Sequence, residues 1–463
     1  MSKDTVVRAH ITRRGFMLGA TALGAGVLAA ACGQPAPAME EKEMAPEKKE
    51  EAKAEAEAPS GPQGEALYWH RGFFDFEPWA KEFAEQNPGL TMNAVGEADR
   101  LNKFKAAVAA GSPPDAVDVG DWQTVELGVT DISQPLNNYY KASGVLNLAE
   151  FWPSVLSYLT DAPTGNMYGA PYAPDLRVMY IHGDTYLEVG LDPENPPTSW
   201  TDFDTAIIQT TKFDGETLVR AGCPPFWGSG GTGLWLLLLW QLGGDVMADD
   251  WSEVTINSQE AVRALDWLKN IHEVQGGWDA IAQLRGDGLH RNSHLAEARA
   301  VHYYATFAER GQWFKENAPD LNFGFTPWPK PEGGKDANLG GNHTATFAIN
   351  APNPDAMFAW FEYFLSPETN LRFAKQYDRV PVREATTSSP DYTENDPFRE
   401  LIAQQMPFRH FYYSGPGGTE ARTHAVGFVP DVMAGTITAP EALEAAEKGI
   451  TELLAGWNER LGR

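Results

Sequence analysis

Three aspartates, Asp75, Asp121 and Asp175, sit in or just after segments that follow apolar runs in this 463-residue chain. Two such carboxylates could hydrolyse a glycosidic bond if they stood ~5 or ~6.5–9.5 Å apart, one of them acting as the acid. The same segments carry residues suited to holding a ligand. Trp69, His70, Arg71 and Phe73 follow "ALY", Asp121 and Trp122 follow "DAVDVG", and Arg177 lies two residues beyond Asp175. Carboxylate and guanidinium groups make the stronger, charge-assisted hydrogen bonds. A glycine-rich helix entry, "WGSGGTGLW", adds Trp227, Thr232 and Trp235. It fits Gly-x-Gly-x-x-Gly, but Pro224-Pro225 and Phe226-Trp227 stand where a strand should precede a dinucleotide loop. Its backbone N–H groups at a helix start could still receive hydroxyl or anionic oxygens. HExxH, GxSxG and GxxxxGK motifs are absent. No metal, cofactor or catalytic group is expected.

The chain has 63 acidic against 36 basic residues. Such a surface repels a phosphate backbone, so nucleic acid is not an expected partner. The two cysteines, Cys32 and Cys223, allow no disulfide framework within the body and no CxxC site. Cys223 is expected to be a small buried residue without a role.

Residues 1–31 read as an export signal. Arg13-Arg14 precede a short apolar run from Gly15 to Ala31 that is rich in alanine and glycine. Its 17 residues lie at the lower limit for crossing a ~30 Å hydrocarbon layer, and glycine weakens its helix. A basic start, a short apolar middle and a small-residue end are the anatomy of a cleaved address. "TRRGFM" resembles the twin-arginine signal. "LAAACG" resembles a lipobox, which implies cleavage before Cys32 and acylation of that cysteine. Residues 32–64 contain no aromatic or β-branched side chain, so they are expected to form a disordered, acidic tether. As a flexible coil it would span roughly 30 Å.

The elements that must position these groups begin near Leu67. "ALYWH" reads as a buried strand, "FEPWAKEFAEQNPG" as a helix with Pro78 at its start, and "LTMNAV" as the next strand. A strand–helix–strand order with short links implies parallel pairing. Further helices are expected at 99–110, 201–212, 258–272, 355–376 and 439–460, with "DAVDVG" as a strand. Trp79, Trp200, Trp240 and Trp267 fall at helical positions and are expected in the core or as caps. The class is α/β with two lobes.

Several of these stretches, in order, resemble the extracellular solute-binding proteins of ABC importers, family 1, the cluster that includes maltose-binding protein. "FAEQNPGLTMNAV", "AGSPPDAVDV", "YGAPYAPDLRVMYIHGDTYLEVGLDPENPPTSWTDF", "WQLGGDV", "EARAVHYYATFAERGQW", "LGGNHTATFAI" and "RVPVREA" carry the resemblance. It implies two α/β lobes, a hinge of two or three crossover segments, and a ligand held in the cleft between them. Lobe 1 would comprise 65–174 plus 341–384, and lobe 2 would comprise 175–340 plus 385–463, with crossovers near 172–177, 339–342 and 380–385.

The resemblance further implies a carbohydrate ligand, with Asp175 at a contacting position and Phe307 as a stacking aromatic. The expected ligand-binding set is Trp69, Arg71, Asp121, Trp122, Asp175, Arg177, Thr232, Trp235, Phe307, Gly341, Asn342 and Arg379. Trp69 would equally suit a core position, and Asp175 with Arg177 an ion pair across the hinge. His343 reads as structural. The aromatic segment 408–418 matches no family motif, and Tyr412 or Tyr413 is a candidate to reach the cleft. The implied partners are a sugar, polyol or sugar acid, the importer's permease, and the bilayer through Cys32. The protein itself would be a monomer outside the cytoplasmic membrane. A secreted hydrolase remains the alternative.

Overall fold

A 13-residue strand, β4, is the spine of the structure, a computed structural model that describes residues 62–462 apart from 230 and 249. These residues lie within one compact unit, Ala58–Arg463. The export signal, Cys32 and nearly all of the tether fall outside the described residues. Among the described residues no helix is long and apolar enough to cross a membrane.

The strands are β1 (Gly64–His70), β2 (Leu90–Gly96), β3 (Ala116–Val119), β4 (Ala170–His182), β5 (Lys212–Asp214), β6 (Thr217–Arg220), β7 (His302–Thr306), β8 (Phe323–Thr326), β9 (Asn338–Phe347) and β10 (Arg409–His410). The main sheet runs β2-β1-β3-β9-β4-β7, with β10 on β9 and β8 on β4. β1 pairs in parallel with β2 and β3, as the strand–helix–strand order requires. β9 enters antiparallel between β3 and β4. β4 changes partner halfway: Ala170–Leu176 pair with β9, while Arg177–Ile181 pair with β7. A third connection is tied to the same point, because Val380 N–H donates to the Pro174 carbonyl.

Apolar clusters form on either side of this exchange. Tyr68, Phe76, Phe83, Tyr172, Trp360 and Phe373 pack around the first strands. Beyond it, the helix Leu234–Leu242 is buried on all sides except its last residue, among Leu265, Leu268, Leu443 and Ile450. A helix that is apolar all round belongs in a core. Leu265, Leu268 and Ile271 line the buried face of Gln259–Glu273, while Val262 is half-buried against the same core. Trp79, Trp200 and Trp240 are buried, and Trp267 stacks on Trp200 with ring centroids 4.1 Å apart.

The stretch expected as one helix over 355–376 is two, Pro354–Phe364 and Pro367–Gln376. Pro367 lacks the N–H that continuation needs and instead opens the second helix, where the Ser366 side chain accepts from Thr369 N–H. Cys223 is buried with a free thiol, and burial pushes its pKa well up.

His272, His294, His302 and His343 have pKa values lowered to about 4, burial being the largest cause in each. Unfolded histidine titrates near 6.5, so between pH ~4 and ~6.5 the unfolded chain binds more protons. The stability held by the neutral rings is full above pH ~6.5 and is lost as pH falls toward 4. Urea midpoints should therefore drop steadily over that window, and a flat profile would contradict the burial of these rings.

Candidate functional site

Every residue of β4 is buried except two, Asp175 and Arg177, which alternate onto one face where the strand changes partner. They open into a cavity of about 660 Å³. The end of β1 contributes Arg71 and Phe73, β9 contributes His343, and the third connection contributes Tyr377 and Arg379. The far wall carries Thr306, Glu309 and Gly311 from the end of β7, with Ser229 and Arg291 beside them.

The wall is laced by opposite charges. Asp175 accepts from Arg177 Nη1 at 3.0 Å and lies 3.7 Å from Arg379 Nη1. Arg71 Nε stands 2.9 Å from Asp118 Oδ2, and Arg291 Nη2 stands 2.7 Å from Glu309 Oε1. Burial would raise the Asp118 carboxyl, but Arg71, His343 and Arg100 together hold it below the ordinary carboxylate range. His343, 3.5 Å from the same carboxylate, is neutral at pH 7 because burial dominates. Phe73 is 63% exposed, an aromatic plane left open at the mouth.

Gly340 and Gly341 show how β9 serves two faces at once. A Cβ on Gly341 would sit 2.8 Å from Asp175 Oδ1, so this glycine makes room for the carboxylate. A Cβ on Gly340 would collide with the Arg409 side chain on the opposite face. There Arg409 pairs with Asp121 at 3.0 Å, both side chains fully buried, and Thr344 Oγ1 donates to the same aspartate.

Arg71, Asp175, Arg177 and Arg379 of the expected set therefore meet at one cavity, and the others do not. Asp121 is sealed under Arg409 on the opposite strand face. Trp122 is covered by Phe411, with ring centroids 5.7 Å apart, and by the Arg422 guanidinium. Trp69 packs beside Phe104 and Val117, because Tyr68 and His70 take the other face of β1. Trp235 is wholly buried and donates its indole N–H to the Ala425 carbonyl. Phe307 is buried near Phe398, and its carbonyl accepts from Tyr180 Oη–H. Gly341 acts as a spacer, Asn342 is buried at a position that alternates away from Asp175, and Thr232 lies half-buried in a turn away from the cavity.

The glycine-rich loop has a packing reason: a Cβ at Gly228 would meet the Tyr304 carbonyl at 1.7 Å, and one at Gly233 the Tyr412 hydroxyl at 1.8 Å. Tyr412 is thus buried, whereas Tyr413 borders a separate cavity of about 420 Å³ with Tyr158, Trp251 and Phe411.

Sequence reasoning passed over Glu309, Arg291 and Tyr377 and set His343 aside. Glu309 had a usable signal, a carboxylate three residues past the end of an apolar strand. Arg291 had none, since its long exposed loop gives no register.

The description "Bacterial extracellular solute-binding protein" matches residues 78–399, and the chain belongs to that family. Its members bind solutes outside the cytoplasm and are not enzymes, which removes the hydrolase alternative; the burial of Asp121 against Arg409 agrees. A 127-residue stretch is 28% identical to the sn-glycerol-3-phosphate-binding periplasmic protein UgpB of Shigella dysenteriae; it covers 27% of this chain and 29% of that protein. The match thus spans under a third of the curated relative.

The fold is that of the cyclic alpha-maltosyl-1,6-maltose binding protein from Arthrobacter globiformis, with TM-score 0.71, 21% identity, and coverage of 85% of this chain and 99% of that one. It is equally that of the sugar-binding protein MalE from Xanthomonas citri, with TM-score 0.74, 17% identity, and coverage of 86% and 100%. The two-lobed α/β architecture expected from the sequence is therefore the observed one.

Proposed function

We propose that this protein captures a neutral sugar in the charge-laced cavity and presents it to the permease of an ABC importer. The observation that carries the reading is the balance of charge there: Arg71, Arg177, Arg379 and Arg291 stand against Asp118, Asp175, Glu309 and Glu316, with Asp175 shared by Arg177 and Arg379. Alternating fixed donors and acceptors suit a ring of hydroxyls, each of which both donates and accepts. A phosphate or carboxylate would instead need guanidinium charge that is not already compensated. The structural relatives, a cyclic alpha-maltosyl-1,6-maltose binding protein and a sugar-binding protein, support the same class.

The lobes would be 65–174 with 341–384 and 175–340 with 385–463. A ligand bridging Arg71 on one and Glu309 on the other would bind the closed state better and shift the population toward it. The working protein would be a monomer held outside the cytoplasmic membrane by acyl chains on Cys32, after export through the twin-arginine route. Replacing Arg13-Arg14 by Lys-Lys should trap the precursor inside the cell, and Cys32→Ser should release the protein from membranes. Normal export or retained membrane association, respectively, would refute each point.

A thermal-shift screen tests the ligand class. Neutral mono- and oligosaccharides should raise the melting temperature, reaching about 2.7 kcal/mol of added stability at a hundredfold excess over Kd. A response to glycerol 3-phosphate or glucuronate with none to neutral sugars would overturn the reading.

A further inference from the structure

A second cavity, of about 490 Å³, lies wholly on the far side of β4 from the first strands, between the loop Pro224–Trp227, the end of the helix Gln259–Glu273, the helix Gly277–Arg285 and residues 286–294. Its wall is aromatic. Phe226 stacks on His272 with centroids 5.4 Å apart, and Trp278 stands 5.4 Å from His272. Across the cavity Trp227 packs on His294 at 4.5 Å.

Two imidazoles in this wall have hydrogen-bonding capacity to spare. His272 Nδ1 is bound to the Leu268 carbonyl at 2.8 Å, which makes that nitrogen the donor and leaves Nε2 a lone pair. His294 is 2% exposed, yet its Nδ1 has no hydrogen-bond partner among the described residues. A buried polar atom left unpaired is destabilising, and such atoms in native proteins call for a partner. The rim offers one cation, Arg285, and one anion, Asp287, so it carries no net charge. Gly286 and Gly288, at φ +61° and +87°, turn the chain around that rim in a conformation other residues rarely adopt.

We infer that this cavity is a second binding site, distinct from the cleft, for a neutral monosaccharide. The aromatic planes of Phe226 and Trp278 would cover its C–H face, His272 Nε2 would accept from one hydroxyl, and His294 Nδ1 would pair with another, as donor or acceptor according to its tautomer. A flat aromatic ligand such as indole would use the ring faces but brings a single N–H for two ring nitrogens. The inference does not depend on the reading of the cleft, and the test separates them.

The full mature chain, labelled with 5-fluorotryptophan, is titrated with D-glucose, D-galactose and D-mannose, with the Trp278 fluorine resonance assigned through Trp278→Phe. At least one sugar should shift that resonance saturably, and with the same Kd in Asp175→Ala, whose cleft is disabled. His294→Phe, which keeps a ring on Trp227, should weaken the response about tenfold or more, equivalent to ~1.4 kcal/mol, while leaving cleft binding unchanged. An unmoved Trp278 signal with all three sugars would overturn the site. So would a shift that disappears in Asp175→Ala, or a response to indole with none to the sugars.

Discussion

Asp175→Ala should weaken sugar binding by roughly 10- to 150-fold, or about 1.5–3 kcal/mol, the range for a hydrogen bond to a charged group. Asp175 is the shared partner of Arg177 and Arg379, and Arg379 is almost wholly buried. Removing the carboxylate takes away an acceptor facing the ligand and sets two guanidinium groups against each other. Burial already works against the Arg379 charge, and Asp175 is the foremost group opposing that effect. Asp175→Asn keeps the shape and loses the charge, so it should fall between wild type and alanine. Calorimetry with the strongest sugar from the thermal-shift screen measures both. Affinities within threefold of wild type in both variants would place the ligand elsewhere.

Asp121→Ala should cost about 3–5 kcal/mol of stability, the usual penalty for stranding one partner of a buried ion pair. Arg409 would be left in the interior with backbone contacts such as the Ser154 carbonyl but without a counter-charge. Asp121→Ala with Arg409→Met should recover most of the loss, since replacing both charges removes both desolvation costs. Urea unfolding gives the comparison, and a double variant no more stable than the single one would show that the pair itself, not the stranded charge, sets the cost.

The pH dependence has a definite sign. Burial raises the Asp121 pKa to about 6, Arg409 opposing it, so the folded state binds the extra proton between pH ~4 and ~6. Its contribution to stability therefore falls as pH rises through that window, against the trend of the four buried histidines. In Asp121→Asn that opposition is gone, and the acid-side loss should steepen.

The contrast between Asp175 and Asp121 shows what could be read from the chain. Both are aspartates in segments leaving an apolar run, and both were expected to face the ligand. One opens into the cavity from β4, while the other opens the helix Asp121–Val129 and is buried against Arg409 and Thr344 on the opposite face of β9. Alternation along a strand separates residues into two sets; it does not say which set faces solvent. That ambiguity put Trp69 in the expected site; Trp122 and Trp235, each in the first turn of a helix, and Phe307, just past β7, were placed there by their position after a loop or strand, and they instead pack against neighbouring side chains.

The sequence by itself determined the order of strands and helices, the parallel start of the sheet, the core faces of helices such as Gln259–Glu273, and, through ordered motifs, the two-lobed class. It also singled out Arg71, Asp175, Arg177 and Arg379, charged residues that lie where the chain must turn or cross. Only the tertiary structure decided that these four converge while Asp121 does not, and that Glu309, Arg291 and His343 complete the wall. Local pattern governs elements because periodicity and capping act within a few residues. Convergence depends on which strands lie side by side, and β9, some 170 residues after β4, settles that by placing Gly341 under Asp175 and Gly340 under Arg409.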